Sequence, residues 1–326
     1  MEFFFLTYRL RLLICIQIIL FTSCQKEVKI DIPSYENKLV VEGRIETGLP
    51  PIILLGTSKD IFSMNSLDTI FGSYITDAVI TISDGTNFDT LQTICTDDIP
   101  KGYEDLGAIL FGIPSIYISK FHLCAYSTLN TTFFGKVGGK YTITIHYKGK
   151  KYTSTTSIPE PVYLDTIFWK KEKTLPNYGL AYASITDPIE KGNAYFWEAL
   201  RIKTGNDGSN VDKRFYKPRN PVFDDQFING IKFNFWYENP RTYYDENISD
   251  KYRGFYLRGD TVTIKFSTIN QVTFNFLQKK YTQINTGGSP FSSPINVPSN
   301  ISGGALGLWG GYSTTYSTLI CDDKNQ

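Results

Sequence analysis

Histidine is scarce in this chain: His122 and His146 are its whole complement in 326 residues. A histidine-based metal site or a Ser-His-Asp triad therefore has little to draw on, and no HExxH, CxxC or GxSxG run occurs. No GxxxxGK[ST] loop is present to cradle a phosphate, and the paired glycines at 303–304 and 310–311 do not match GxGxxG, which argues against nucleotide chemistry. Charge of one sign is missing too, with 33 Lys+Arg against 32 Asp+Glu, so nothing suits the chain to a nucleic-acid backbone. The longest apolar run, Leu12 to Phe21, is about half the roughly 20 residues a membrane-spanning helix needs. No catalytic residue, metal ligand or cofactor is assigned, and a non-enzyme is expected.

Aromatic residues are plentiful, at 15% with 22 Tyr and 23 Phe, and they favour half-buried pleated surfaces; with 41% hydrophobic residues the composition is that of a soluble β-rich protein. At the N-terminus Arg9 and Arg11 precede the apolar run, and Thr22-Ser23-Cys24 opens into a polar stretch, the parts of a secretory signal over residues 1–23. Phe21-Thr22-Ser23-Cys24 resembles a bacterial lipobox, in which the cysteine thiol carries a diacylglycerol; Phe21 departs from the usual Leu, Val or Ile. The alternative is an ordinary signal that Cys24 happens to follow. Removing residues 1–23 leaves 31 charges of each sign, a neutral mature chain. Residues 24–37 then form a tether, and multiple acyl chains on Cys24 would hold the protein to a membrane without a spanning segment.

Of the other cysteines, Cys15 leaves with the signal and Cys321 lies near the end. Cys95 and Cys124 are the candidate disulfide, permitted in an exported protein; two buried reduced thiols are the other reading.

Short apolar runs bounded by turn residues mark strands at Lys38–Ile45 and Ile52–Leu55, and Ala78–Ser83 alternates up to the turn pair Asp84-Gly85. Residues 95–132 form a long excursion with short strands expected around Ile109 and Ile116. Tyr141, Ile143, Ile145 and Tyr147 alternate with polar residues, and Lys148-Gly149 turns the chain into a hairpin with Lys151–Ile158. Pro159-Glu160-Pro161 interrupts any ladder, placing a boundary between a first domain, 38–160, and a second, 161–326. Strands are expected at Val162–Trp169, Ala194–Ile202, Ile231–Tyr237, Tyr252–Leu257 and Thr261–Phe266. One helix is expected over Thr268–Asn285, with Thr268 and Gln271 as a capping box and Gly287-Gly288 as a stop.

Asp224-Asp225 is the tempting carboxylate pair, but adjacent strand residues face opposite sides, so a turn role before Asn229-Gly230 is expected. Aromatic clusters at Tyr195-Phe196-Trp197, Phe233-Phe235-Trp236-Tyr237 and Tyr243-Tyr244 suit either core packing or sugar-stacking platforms.

Several passages in order resemble the Bacteroidota outer-membrane lipoproteins catalogued as domain of unknown function family 4249. They are Leu39-Val40-Val41-Glu42-Gly43, Asp77 to Gly85, Gly139-Lys140-Tyr141 with Thr156-Ser157-Ile158-Pro159, Phe223-Asp224-Asp225, Gly259-Asp260-Thr261-Val262, and Pro298-Ser299-Asn300-Ile301 with its glycines. The resemblance implies a mainly β fold: an N-terminal immunoglobulin-like β-sandwich followed by a second β-rich domain, here with one helix near its C-terminal end. It implies a lipid-anchored outer-membrane protein that binds a ligand or partner, beside a TonB-dependent outer-membrane transporter; it supplies no catalytic residues. The Cys95/Cys124 pair is not a feature we associate with the group. A surface glycan hydrolase and an adhesive or structural surface module are the alternative readings, and neither the ligand nor the membrane face is written in the residues.

Overall fold

Apolar side chains at alternate positions of Leu39–Glu46 (β1) are buried on one face, while Glu42, Arg44 and Glu46 stand on the other. That division runs through the whole chain in the computed structural model, which describes residues 37–58, 74–111, 113, 115–205, 211–243, 245–286 and 295–323. Cys24, the tether up to residue 36 and the Gly287-Gly288 stop lie outside the described residues. β1 pairs antiparallel with Ile52–Thr57 (β2) and parallel with Leu306–Ile320 (β16).

These three sit inside an eight-stranded sheet, order β12-β11-β15-β16-β1-β2-β6-β5. Its other members are Gln92–Cys95 (β5), Cys124–Ser127 (β6), Ala194–Lys203 (β11), Val222–Asp224 (β12) and Thr261–Ile269 (β15). Strands from both sides of Pro159-Glu160-Pro161 thus share one sheet.

Two four-stranded sheets cover the same face of it. Phe88–Thr90 (β4), Val79–Ser83 (β3), Lys140–Tyr147 (β7) and Lys150–Ser157 (β8) pack Ile80, Ile82 and Ile143 against Val41, Ile53 and Trp309. Leu164–Glu172 (β9), Leu175–Thr186 (β10), Lys232–Tyr237 (β13) and Tyr256–Leu257 (β14) pack Trp169, Ala183 and Tyr237 against Trp197, Ile264 and Phe266. The opposite face carries the helices Glu104–Phe111 (α1), Ser115–Ile118 (α2) and Gln271–Thr286 (α3). The fold is mainly β, as expected, with its long helix near the C-terminal end.

The β7–β8 hairpin has the register the alternation implies, with Tyr147 opposite Lys150 and positive φ at both turn residues, 46° at Lys148 and 72° at Gly149. The Tyr141 hydroxyl accepts from the Lys136 N–H at 2.9 Å, a closure like the tyrosine corner of immunoglobulin-like sandwiches.

Two expectations are corrected. Ile109 and Ile116 lie in α1 and α2 rather than in strands, and the strand of that excursion is β6. Glu104 and Asp105 start α1 where acidic groups meet the exposed N–H ends, and the segment packs a helix on the sheet instead of extending it. The long helix begins at Gln271, not Thr268, because β15 continues through Ile269. Asn270 is its cap, with Oδ1 accepting from the Thr273 N–H at 2.9 Å, and the Thr268 hydroxyl instead accepts from the Val162 N–H at 2.9 Å. Its buried residues are Thr273, Phe274 and Leu277, while Val272 and Ile284 face solvent.

Glycines let the layers close around Trp309. A Cβ on Gly43 would stand 2.7 Å from the Trp309 ring, and one on Gly311 would stand 2.3 Å from the Ser157 carbonyl oxygen. Trp309 is fully buried, its indole N–H donates to the Tyr141 carbonyl at 3.0 Å, and its backbone is bracketed by the Asn300 amide at 2.8 and 2.9 Å. Trp309→Ala is expected to lower the unfolding free energy by about 3–5 kcal/mol in urea titrations. Trp236→Ala, at a half-exposed position, is expected to shift it by about 0.5 kcal/mol or less.

Candidate binding site

The outward residues of β1 do not meet bulk water uniformly. Glu42, Arg44 and Glu46 share their face with Glu198 on β11, Lys265 and Ser267 on β15, and Leu308 and Tyr312 on β16. Phe111 and Ile113 roof this surface from one side, and Phe276, Leu277 and Tyr281 of α3 from the other. Between them lies a cavity of about 260 Å³, close to the small end of the roughly 300–1,000 Å³ common for ligand pockets. Gly310 admits the helix, since a Cβ there would be 3.3 Å from the Thr273 methyl carbon.

The charged side chains form a line of alternating sign. Arg44 Nε lies 3.7 Å from Glu46 Oε1, Glu46 Oε2 lies 2.7 Å from Lys265 Nζ, Lys265 Nζ lies 3.4 Å from Glu198 Oε2, and Glu198 Oε1 lies 3.5 Å from Lys217 Nζ. Register explains the centre of the line, because Glu198 and Lys265 are direct cross-strand partners. Glu46, Glu198 and Lys265 are buried, Arg44 and Lys217 half-buried. At the rim, Lys280 Nζ sits 2.6 Å from Glu42 Oε1, whose side chain is largely exposed.

Burial alone would push the Glu198 carboxyl up, but Lys265, Lys217 and Arg44 together outweigh it and hold the group below its usual range. Burial likewise opposes the Lys265 charge, and Glu198 and Glu46 overcome it, so its pKa is raised. For Lys217 burial wins and its pKa is lowered. Burial raises the Tyr312 phenol, with Glu46 adding to it. Among the described residues four cations face three carboxylates across this cavity, and most of the remaining lining is aliphatic or aromatic, Ile52, Leu54, Phe196 and Leu308 among it, with Ser267 beside them. Such a cavity suits a small molecule with one acidic end and an apolar body.

Most residues singled out from the sequence lie elsewhere. Cys95 and Cys124 oppose each other across β5 and β6 and are disulfide-bonded; Cys321 is free and buried. His146 is exposed on the outer face of β7, and the His122 ring meets Asp97. Asp225 is buried as a turn brace, its Oδ2 accepting from the Gly192 and Asn193 N–H groups at 2.6 and 2.9 Å. Tyr195, Trp197, Phe223, Phe235 and Tyr237 interlock in the second core instead of presenting a platform, and Tyr244 lies outside the described residues. The charged line itself was missed. Its signal is present in the chain: Leu39–Glu46 carries alternating charges, Glu198 is the one charge in the run Ala194 to Leu200, and Lys265 is the one charge in β15.

Lys265→Met would leave Glu46 and Glu198 buried without their shared cation and is expected to cost about 3–5 kcal/mol in urea unfolding, against less than about 1 kcal/mol for Lys280→Met at the rim. Because the folded pKa of Glu198 lies below its unfolded value, the stability it confers is complete above about pH 5 and is lost as pH falls through the folded pKa. Glu198→Gln should therefore give a shallower decline in unfolding free energy than wild type between about pH 5 and 3.

Comparison with curated proteins and with solved structures gave no match. The family model described as Domain of unknown function (DUF4249) matches residues 25–318, nearly everything beyond the signal-like segment, and the chain belongs to that family.

Proposed function

We propose that this protein is a lipid-anchored, non-enzymatic binding protein of the outer membrane, holding a small acidic amphiphile in the cavity between the eight-stranded sheet and α3 and working beside a TonB-dependent transporter. The cavity carries the reading: a paired charged line with one surplus cation among the described residues forms one side, and aliphatic and aromatic side chains form most of the rest. The anchor rests on the lipobox-like Phe21-Thr22-Ser23-Cys24, and the transporter on the family resemblance. Among the described residues no helix is long and apolar enough to cross a membrane. A retaining glycosidase needs a carboxyl kept protonated near neutral pH, and in this cavity Glu198, the most enclosed acid with Glu46, is held in the opposite direction, which favours binding over hydrolysis at this site.

Octanoate joins a carboxylate to a short alkyl chain and is the probe. It should raise the melting temperature of the wild-type protein in a concentration-dependent way, and Lys217→Met should weaken its apparent affinity by about tenfold or more. Equal responses from the two proteins, or an equal response to octanol, would refute the acidic-ligand reading. For the anchor, Cys24→Ala should abolish incorporation of radiolabelled fatty acid, and an unchanged label would refute lipidation. Cross-linking in native membranes should capture an outer-membrane transporter; its absence from the cross-linked species removes that part of the reading.

A further inference from the structure

A second site lies at the edge of the eight-stranded sheet, away from the cavity and independent of the ligand reading. β5 is an edge strand, and Cys95 at its end faces Cys124 at the start of β6. His122 sits two residues before Cys124, and its Nε2 lies 3.3 Å from the Cys124 sulfur. The two sulfurs and a ring nitrogen of His122 all fall within 4.8 Å of one another. A tetrahedral zinc with Zn–S of about 2.3 Å and Zn–N of about 2.0 Å separates its ligand atoms by roughly 3.3–3.8 Å, so the side chains need only rotamer adjustment to surround one ion.

The surroundings already prepare such a site. His122 Nδ1 is 2.7 Å from Asp97 Oδ2, so a proton on Nδ1 donates to the carboxylate and leaves the Nε2 lone pair directed at the sulfurs, the arrangement found behind zinc-bound histidines. The backbone is braced as well. Asp98 Oδ2 accepts from the Cys95 N–H at 2.8 Å, and the Thr96 hydroxyl donates to the Phe121 carbonyl at 2.6 Å while accepting from the Leu123 N–H at 3.1 Å. Cys124 is buried and His122 exposed, so the fourth coordination position faces solvent.

We propose that Cys95 Sγ, Cys124 Sγ and His122 Nε2 form a redox-gated zinc site. A dithiol reductant supplies two electrons and two protons, the Cys95–Cys124 bond breaks into two thiols, and the reductant leaves as its own disulfide. Zn²⁺ then displaces both thiol protons and takes the two thiolates and the neutral imidazole, with water as the fourth ligand. In the reverse direction a small-molecule disulfide takes up the two electrons, leaves as two thiols after gaining two protons from solvent, and the Cys95–Cys124 bond reforms with release of Zn²⁺, so bond and ion exclude each other.

The test uses the full chain, oxidised or reduced without oxygen, titrated with Co²⁺ as a spectroscopic probe and then with competing Zn²⁺. Reduced wild-type protein should bind one equivalent with thiolate-to-cobalt absorption in the near ultraviolet, and the oxidised protein should give no such band. His122→Ala retains every thiol, so background from other cysteines is unchanged; it should lose at least tenfold in affinity, and Asp97→Ala about 10- to 100-fold. Reduced wild type binding no more tightly than His122→Ala would overturn the assignment. So would loss of the far-ultraviolet β signal on reduction, since the ligands would then no longer be held together.

Discussion

Parallel pairing between β1 and β16 is the constraint on which the other layers depend. Parallel neighbours require a crossover, and here the crossover is nearly the whole described chain, from residue 47 to residue 305. β1 contributes to both sides of the join: Val41 and Ile45 fill the first core, while Glu42, Arg44 and Glu46 build the cavity wall. The two backbones meet without side-chain interference because Gly307, at φ 118°, places no Cβ against the Val41 carbonyl oxygen, which would stand 1.9 Å away. Trp309 then lies across Gly43, and its indole ties β16 to β7. One pair of strands therefore aligns the first sandwich, the central sheet and the cavity floor.

The charged line needs a separate explanation, because buried ion pairs are poor investments in stability. Desolvating two charges costs several kcal/mol per ion, and well-packed apolar residues often serve as well or better. Arg44, Glu46, Lys265, Glu198 and Lys217 nevertheless occupy three strands and a loop in an unbroken alternation. Lys265, Lys217 and Arg44 favour the charged form of Glu198, and Glu198 and Glu46 favour that of Lys265, so removing a central member affects both sides, whereas the rim pair Lys280–Glu42 ends in solvent. A network with a cavity attached is better understood as a preorganised electrostatic surface than as a stabilising device.

How much of this could be read in the residues depends on what each signal measures. The period-two alternation of β3 and the β7–β8 hairpin records a one-sided burial that the structure repeats, and the body of α3 falls within the expected helix. Its start was misplaced because Thr268-Ile269 satisfies both a cap rule and a strand pattern, and the ladder to β16 takes those residues. The α1–α2 excursion was misread since short apolar runs carry no period of their own. The passages that carry the family resemblance turn out largely to be latches. Asp260 accepts from the Gly205 and Leu257 N–H groups, Asn300 brackets Trp309, and Asp225 braces a turn. Such residues mark the fold strongly and the cavity hardly at all. Lone charges inside apolar strands were the available clue to the site, and they become legible only once sheet order places Glu198, Lys265 and Glu46 side by side.

The same closing strand sets the order in which the protein can be made. Every strand of the central sheet from β1 to β15 in chain order can leave the ribosome while the position of β16, between β1 and β15, is still empty, so neither core has its shared floor until residues 306–320 follow. Contacts of such long sequence separation form slowly and late. The central sheet thus stays divided, with one edge of β1 and one edge of β15 unpaired, until β16 is made.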